Sequence, residues 1–260
     1  MTELLPANTV AAIVLALRSA GCVFAEDEAA LLVAESSPTE LEQRVRRRVA
    51  GEPLEVILGW AEFGGLRIAI DPGVFVPRRR TGYLVRRAIR LATPDSIVVD
   101  LCCGSGALGV AMATAIPGIR LSASDIEPVA VACARRNLAG IGEVFEGDLF
   151  DALPVELRGH VDLLLVNAPY VPTDEISTLP PEARDYEPLV TLDGGPDGLD
   201  VHRRVAEGAA TWLAKGGTLL VETSRQQAPL AAALFASAGL LPSVVRSKKQ
   251  HATVILGTRP

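Results

Sequence analysis

The stretch Ile97–Gly109, which reads I-V-V-D-L-C-C-G-S-G-A-L-G, constrains this chain more than any other. Ile97, Val98 and Val99 form a short apolar run suited to a buried strand, and Asp100 stands where that strand ends. Gly104, Ser105 and Gly106 make a tight turn, and Ala107–Ala115 is apolar and helix-prone. A strand, a glycine-rich turn and a helix in that order let backbone N–H groups approach a ligand with no Cβ in the way. The turn carries no Lys-Ser/Thr, which excludes a Mg-nucleotide P-loop. Asp125 adds specificity, because it ends the next strand-like run, Arg120–Asp125. A carboxylate there accepts hydrogen bonds from both ribose hydroxyls of a nucleoside, as in dinucleotide-binding folds. The expected ligand is adenosine-like, and at this point NAD and S-adenosylmethionine both fit.

The rest of the composition narrows the class. At 260 residues the chain is long enough for one large domain with a small appendage. Aromatic residues are only 4% against 49% hydrophobic, so the core is built from Ala, Val and Leu. No apolar run approaches the ~20 residues that span a bilayer. The run Val10–Leu17 is broken by Arg18 and preceded by Glu3 instead of a basic region, so neither a signal peptide nor a membrane partner is expected, and the location is cytoplasmic. Cys22, Cys102, Cys103 and Cys133 lack metal-ligand or disulfide spacing and are expected to be reduced and buried. His160, His202 and His251 are scattered, and Asp193, Asp197 and Asp200 lack the EF-hand spacing, so no metal is expected. A net charge of −6 argues against stable nucleic-acid binding. A monomer is expected.

Along the chain, residues 1–52 read as a small helical module, with helices at Asn8–Ala20, Glu26–Ala34 and Pro38–Ala50. It carries Arg44, Arg46, Arg47 and Arg48, read as a solvated helix face or as a contact surface for RNA or an acidic partner. Residues 53–80 read as a hairpin and linker: Leu54–Ile70 as two strand-like runs around Glu62-Phe63-Gly64-Gly65, then the Pro- and Gly-punctuated Asp71–Arg80. Residues 81–260 alternate strand and helix. Strands are expected at Ile97–Leu101, Arg120–Asp125, Glu143–Gly147, Val161–Val166 and Thr218–Glu222. The helices are Thr81–Leu91, Ala107–Ala115, Pro128–Ala139, Leu199–Leu213 and Gln226–Ala238. Ser243–Arg246 and Thr253–Leu256 close the chain as an antiparallel pair, with Lys248-Lys249 in their turn. This predicts an α/β fold with a mostly parallel doubly wound sheet and an antiparallel edge.

The chemistry is read from Asn167-Ala168-Pro169-Tyr170, after the fourth strand of that series. Ligands of open α/β sheets bind at the carboxyl ends of the strands, so this tetrapeptide should face the cofactor loop. Asn167 offers a side-chain carbonyl. Pro169 holds Ala168 extended, which can aim the Ala168 carbonyl into the same space. Two acceptors can hold both hydrogens of a planar NH2, and Tyr170 adds a face for stacking. Such a nitrogen is a poor nucleophile until both hydrogens are held and it pyramidalises toward an electrophile in line.

A cofactor loop, an acidic second-strand end and N-x-P-Y together resemble the S-adenosylmethionine-dependent protein-(glutamine-N5) methyltransferases that modify peptide chain release factors. The resemblance covers nearly the whole chain. It includes Pro77-Arg78, Gly147-Asp148-Leu149-Phe150, Tyr186-Glu187-Pro188-Leu189 and Gly194–Asp200 (GGPDGLD). It implies a Rossmann-like class I methyltransferase sheet with an antiparallel last strand and an N-terminal helical domain that helps dock the substrate. It implies S-adenosylmethionine as cofactor, with S-adenosylhomocysteine as product. Asp100, Cys102, Cys103, Gly104, Ser105 and Gly106 would cradle the methionine part, and Asp125 the ribose. Asp148 and Leu149 would border the adenine, and Asn167 would touch cofactor and substrate alike. Asn167, Ala168, Pro169 and Tyr170 would hold a glutamine amide, in the family that of a Gly-Gly-Gln loop.

The chain departs from the family's N-P-P-Y at Ala168, from its first loop glycine at Cys102, and from its acidic residues after Pro-Arg at Arg80 and Gly82. An exocyclic amine of a DNA or RNA base is the alternative acceptor. An NAD-dependent oxidoreductase is a second alternative, disfavoured because no catalytic Tyr-Lys or His pair is evident.

Overall fold

The computed structural model describes residues 7–260, so Glu3 and the first residues of the helical module lie outside the described residues. Three helices open the chain: α1 (Ala7–Ser19), α2 (Ala25–Glu35) and α3 (Pro38–Val49). α3 starts at a capping box, with Ser37 as cap and Glu40 reaching back to the Ser37 N–H at 3.0 Å. These helices enclose their own small core of Ile13, Leu17, Ala25, Ala29, Leu32 and Leu41, with Ile57 completing it.

Ile57 marks a departure from the sequence reading. Leu54–Leu58 is a short helix, α4, and not a strand; Gly59 ends it in the left-handed conformation (φ 79°). The burial of Ile57 against the helical module selects the helix. The expected hairpin follows as β1 (Trp60–Phe63) and β2 (Leu66–Ala69), turned by Gly64 and Gly65 at φ 63° and 83°.

The large sheet contains β3 (Ile97–Leu101), β4 (Arg120–Asp125), β5 (Gly142–Glu146), β6 (Val161–Val166), β7 (Leu213–Thr223), β8 (Leu241–Ser247) and β9 (Ala252–Thr258). Between them run α5 (Gly82–Ile89), α6 (Ala107–Ala115), α7 (Pro128–Asn137), α8 (Pro181–Tyr186), α9 (Asp200–Trp212) and α10 (Ala228–Ser237). Strand order is β5-β4-β3-β6-β7-β9-β8, and β9 alone runs antiparallel to its neighbours. This is the expected class I methyltransferase sheet. The strand reading erred chiefly at β7, which begins at Leu213 and takes in the Lys215-Gly216-Gly217 segment.

Both faces of the sheet are covered. α5, α6, α7 and the small hairpin pack on one face, around Val98, Met112, Leu163 and Phe63; α9 and α10 pack on the other, around Val99, Leu164, Trp212 and Phe235. β3 and β6 are adjacent and parallel, with Leu101 beside Val166. The loops that follow them therefore leave the sheet side by side, at the switch point where chain order reverses.

Candidate active site

The loop after β3 is built as the sequence demands. Gly104 and Gly106 have φ of 55° and 76°, and the Gly104 N–H donates to Asp125 Oδ2 at 2.8 Å. A Cβ on Gly106 would lie 3.1 Å from Leu138 Cδ1, and one on Gly109 2.9 Å from Leu121 Cδ2, so these glycines let α6 lie close on the sheet. A Cβ on Gly104 would meet no protein atom and would project into the cavity the loop lines. Cys102 takes the left-handed conformation without being glycine (φ 54°), at a cost of about 1–2 kcal/mol. Asn137, unmarked in the sequence, braces the loop. Its Nδ2 donates to Ser105 O at 2.8 Å and to Ala69 O at 2.9 Å, while its Oδ1 accepts the Ala69 N–H, so the hairpin and the loop are tied together.

The cavity above this loop is also lined by Asp125, Ile126, Asp148, Leu149, Phe75 and Val201. Asp125 holds its carboxylate in place with the N–H groups of Gly104 and Glu127. Arg204 pairs with Asp148 at 2.7 Å. Burial pushes the Cys102 and Cys103 thiols well up, so both are uncharged walls and not nucleophiles. Burial also pushes the Asp100 carboxyl up to about 7; its Oδ2 accepts the Gly109 N–H at 3.1 Å, and its Oδ1 is buried without a partner.

A second cavity adjoins the first, and Asn167, Pro169, Phe75 and Thr191 line both. Among the described residues, no protein group hydrogen-bonds the Asn167 side-chain amide or the Ala168 carbonyl. Tyr170 is pinned instead. Its hydroxyl accepts from Arg80 Nη2 at 2.7 Å and donates to Glu222 Oε1 at 3.1 Å, and Arg80 Nε also donates to Glu222 Oε1 at 3.0 Å. Glu222 is only 2% exposed. His202 is fully buried and donates through Nε2 to the Glu222 carbonyl, its imidazole pushed down to about 4 by desolvation; it is neutral and stands edge-on to Tyr170.

The glycine-rich segment Gly194–Asp200 proves to be the support of this tetrapeptide. Gln227, another residue the sequence did not reveal, donates from Nε2 to Tyr170 O and to Asp197 O, both at 2.9 Å. Val171 exchanges backbone bonds with Leu192 and Gly194. A Cβ on Gly198 would sit 2.4 Å from Tyr170 O. Glu187 is buried: it accepts the Val76 N–H at 3.3 Å and pairs with Arg78 at 2.5 Å, fixing the linker over the site.

The N-terminal arginines are paired too. Arg44, Arg46 and Arg47 meet Glu40, Glu42 and Glu52. Arg48, 5% exposed, pairs with Glu28 at 2.6 Å and also with Glu182 on α8. A solvated helix face does not describe Arg48, which joins the helical module to the wall of the second cavity, where Glu182 lies.

Comparison with known proteins places this geometry. Residues 66–179 match the family Methyltransferase small domain. A release factor glutamine methyltransferase of Geobacter sulfurreducens is 39% identical over 198 residues, which cover 75% of this chain and 69% of the relative. The chain belongs to the release factor glutamine methyltransferase family. A Streptomyces pristinaespiralis protein named 4-amino-L-phenylalanine/4-methylamino-L-phenylalanine methyltransferase is 37% identical over 231 residues, 86% of this chain and 78% of that protein. The crystal structure of a methyltransferase from Pyrococcus furiosus shares the fold, with a TM-score of 0.58 at 14% identity, over 84% of this chain and 98% of that one.

Membership makes S-adenosylmethionine the cofactor, and the first cavity fits it on its own terms. An adenosyl group needs a flat apolar slot, which Ile126, Leu149 and Val201 supply, and a carboxylate for its ribose, which Asp125 supplies. Its sulfonium and ammonium charges suit a cavity lined by Asp125, with Asp100 buried behind the lining and near enough for the Asp125 charge to add to the rise of its pKa. The open space over Gly104 is where a Cβ would intrude on it.

Proposed function

We propose that this protein transfers the methyl group of S-adenosylmethionine to the side-chain amide nitrogen (N5) of a protein glutamine, in the Gly-Gly-Gln loop of a peptide chain release factor. One observation carries the reading: two carbonyl acceptors without a partner among the described residues, Asn167 Oδ1 and Ala168 O, belong to residues that line the second cavity, and Asn167 lines the first as well. When bound, the cofactor supplies an electrophilic methyl carbon whose bond to sulfur breaks as the N–C bond forms, leaving a neutral thioether.

The chain's residues do the rest. Asn167 and Ala168 accept the two amide hydrogens, which localises the nitrogen lone pair and turns it toward the first cavity. Ala168 in place of proline leaves this acceptor intact, because the group is backbone. Tyr170, clamped by Arg80 and Glu222, offers its ring as a wall for the amide plane. His202 is buried and neutral and both loop thiols are protonated, so we assign no side-chain base, and the surplus nitrogen proton passes to water. The helical module, held to α8 by Arg48, serves as the docking piece for the protein that carries the glutamine. The partner is that release factor, without a stable nucleic-acid partner, and the enzyme acts as a monomer.

The test is to incubate the enzyme with methyl-labelled cofactor and the purified release factor of its own organism, and to map the label by mass spectrometry. A single added CH2 on the Gly-Gly-Gln glutamine is expected, and Asn167→Ala should lower the rate by about 10²–10³. Transfer at the wild-type rate by Asn167→Ala would remove the mechanism. Free 4-amino-L-phenylalanine belongs in the same assay, since its aryl NH2 is planar too; label there with none on the release factor would move the acceptor to a small amine.

A further inference from the structure

Many cations of this chain pair with carboxylates, as the N-terminal arginines do, and among the described residues that do not, three gather in one groove. Beyond Tyr170 the acceptor cavity opens into a groove of about 660 Å³, between the end of β7 and the turn joining β8 to β9. Arg80, Arg225, Arg246, Lys248 and His251 line it, and Glu222, already bound by Arg80, is its sole carboxylate. Among the described residues, Arg225, Arg246 and Lys248 have no carboxylate within salt-bridge distance, and all three are exposed. The chain as a whole is acidic, at −6. A concentrated positive strip on a negative body is an electrostatic feature that like-charged scatter would not produce. It is continuous with the acceptor cavity, because Arg80, Tyr170 and Glu222 line both.

We infer that this groove is a docking surface for an acidic segment of the protein that presents the glutamine. The inference rests on the protein-acceptor reading above. Charge complementarity and continuity with the acceptor cavity select this occupant. RNA fits less well: the body of the protein repels a polyanion, and the groove outside the acceptor cavity offers no Phe, Tyr or Trp for unstacked bases, only the ring of His251. Carboxylates reaching Arg225, Arg246 and Lys248 would orient the acceptor protein so that its glutamine loop enters past Tyr170. Charges at such a rim govern association rate and its salt dependence more than they govern the chemical step.

The test combines Arg225→Glu, Arg246→Glu and Lys248→Glu in one variant and uses two acceptors: the intact release factor and a short neutral peptide with the sequence Gly-Gly-Gln. With the intact protein, KM should rise at least tenfold, and the increase of the wild-type KM between 50 and 300 mM NaCl should flatten. With the peptide, kcat/KM should stay within twofold of wild type, which also reports that the variant is folded. A KM for the intact protein within twofold of wild type overturns the inference while leaving glutamine transfer standing. Unchanged KM together with loss of binding to a single-stranded RNA oligomer overturns it in favour of nucleic acid. Absence of any glutamine label with the wild-type enzyme overturns the proposed function, and this inference with it.

Discussion

Gly198→Ala tests whether the glycine-rich segment exists to hold Tyr170. Gly198 has φ of 73°, so alanine there is strained by about 1–2 kcal/mol before any contact is considered. The new Cβ would also lie 2.4 Å from Tyr170 O and 2.3 Å from Gln227 Nε2, where real Cβ contacts start at 3.0–3.4 Å. The Tyr170 carbonyl must therefore retreat by about 0.6–1.0 Å, and the two bonds from Gln227 loosen. Each bond contributes about 0.5–1.5 kcal/mol, so the total loss is on the order of 2–5 kcal/mol. At ~2–4 °C per kcal/mol for a chain of this size, Tm falls by roughly 10 °C. The rate should suffer more. A shift of about 1 Å in groups that position a nucleophile costs on the order of 10², while cofactor affinity, set mainly at the other loop, changes little. Gly140→Ala separates the causes: its φ is also 73°, yet its Cβ would touch nothing within 4 Å. That variant should lose about 1–2 kcal/mol and keep its kcat. Measurements are kcat on the release factor, cofactor Kd by calorimetry and Tm for both variants. If Gly198→Ala keeps the wild-type kcat and unfolds like Gly140→Ala, the segment does not support the tetrapeptide and the reasoning fails.

Two further outcomes follow from buried charge. Asp100 is an acid whose folded pKa is raised to about 7, so its penalty is absent below the unfolded value of 3.8, grows as pH rises from 4 to 7 and is complete above 7; by linkage it costs the cofactor-free protein on the order of 4 kcal/mol. Asp100→Asn should flatten the fall of Tm with pH across that window and be more stable than wild type at pH 8; equal slopes in the two proteins would refute it. The cofactor's positive charges favour ionised Asp100, so wild-type cofactor affinity should rise through pH 7 while that of Asp100→Asn stays level. Arg48→Ala leaves Glu28 without its partner and removes the Glu182 link between α8 and the helical module, leaving the Tyr186 hydroxyl on the Ala50 carbonyl as the remaining tie. It should cost about 3–5 kcal/mol by thermal unfolding and raise KM for the release factor with little change for a Gly-Gly-Gln peptide, and an unchanged KM would detach the module from substrate docking.

The two halves of the site were unequally legible. The loop after β3 is local: Asp100, Gly104, Gly106 and Asp125 sit at strand ends whose apolar runs are plain, and its geometry follows from strand, turn and helix. N-A-P-Y could be placed opposite it for the same reason, since strand ends converge. What the sequence could not reveal are the supports, because each acts from far along the chain. Asn137 reaches Ser105, Gln227 reaches Tyr170, and Glu187 reaches Val76 and Arg78. Polar residues on helices or loops with no periodic signature look solvated until packing brings their partners to them. The helix Leu54–Leu58 was missed similarly, as an apolar run too short for periodicity to separate helix from strand.

Arg80 shows how such long-range support can absorb a change of charge. It stands where the family resemblance places an acidic residue, and beside it lie a buried carboxylate, Glu222, and a phenol, Tyr170. A carboxylate at position 80 would face Glu222 across a distance that Arg80 now spans with a 3.0 Å hydrogen bond, two like charges in a poorly solvated pocket. Arginine makes the same place favourable: it neutralises Glu222 and donates to the Tyr170 hydroxyl, so the ring that walls the acceptor is fixed from two sides. The residue that looks most foreign in the linker is therefore coupled to one on β7, 142 positions away. The substitution leaves the two acceptors of Asn167 and Ala168 untouched and alters only how the wall beside them is held. In the proposed mechanism the chemistry rests on those two carbonyl oxygens, and Arg80 changes only how the ring beside them is held.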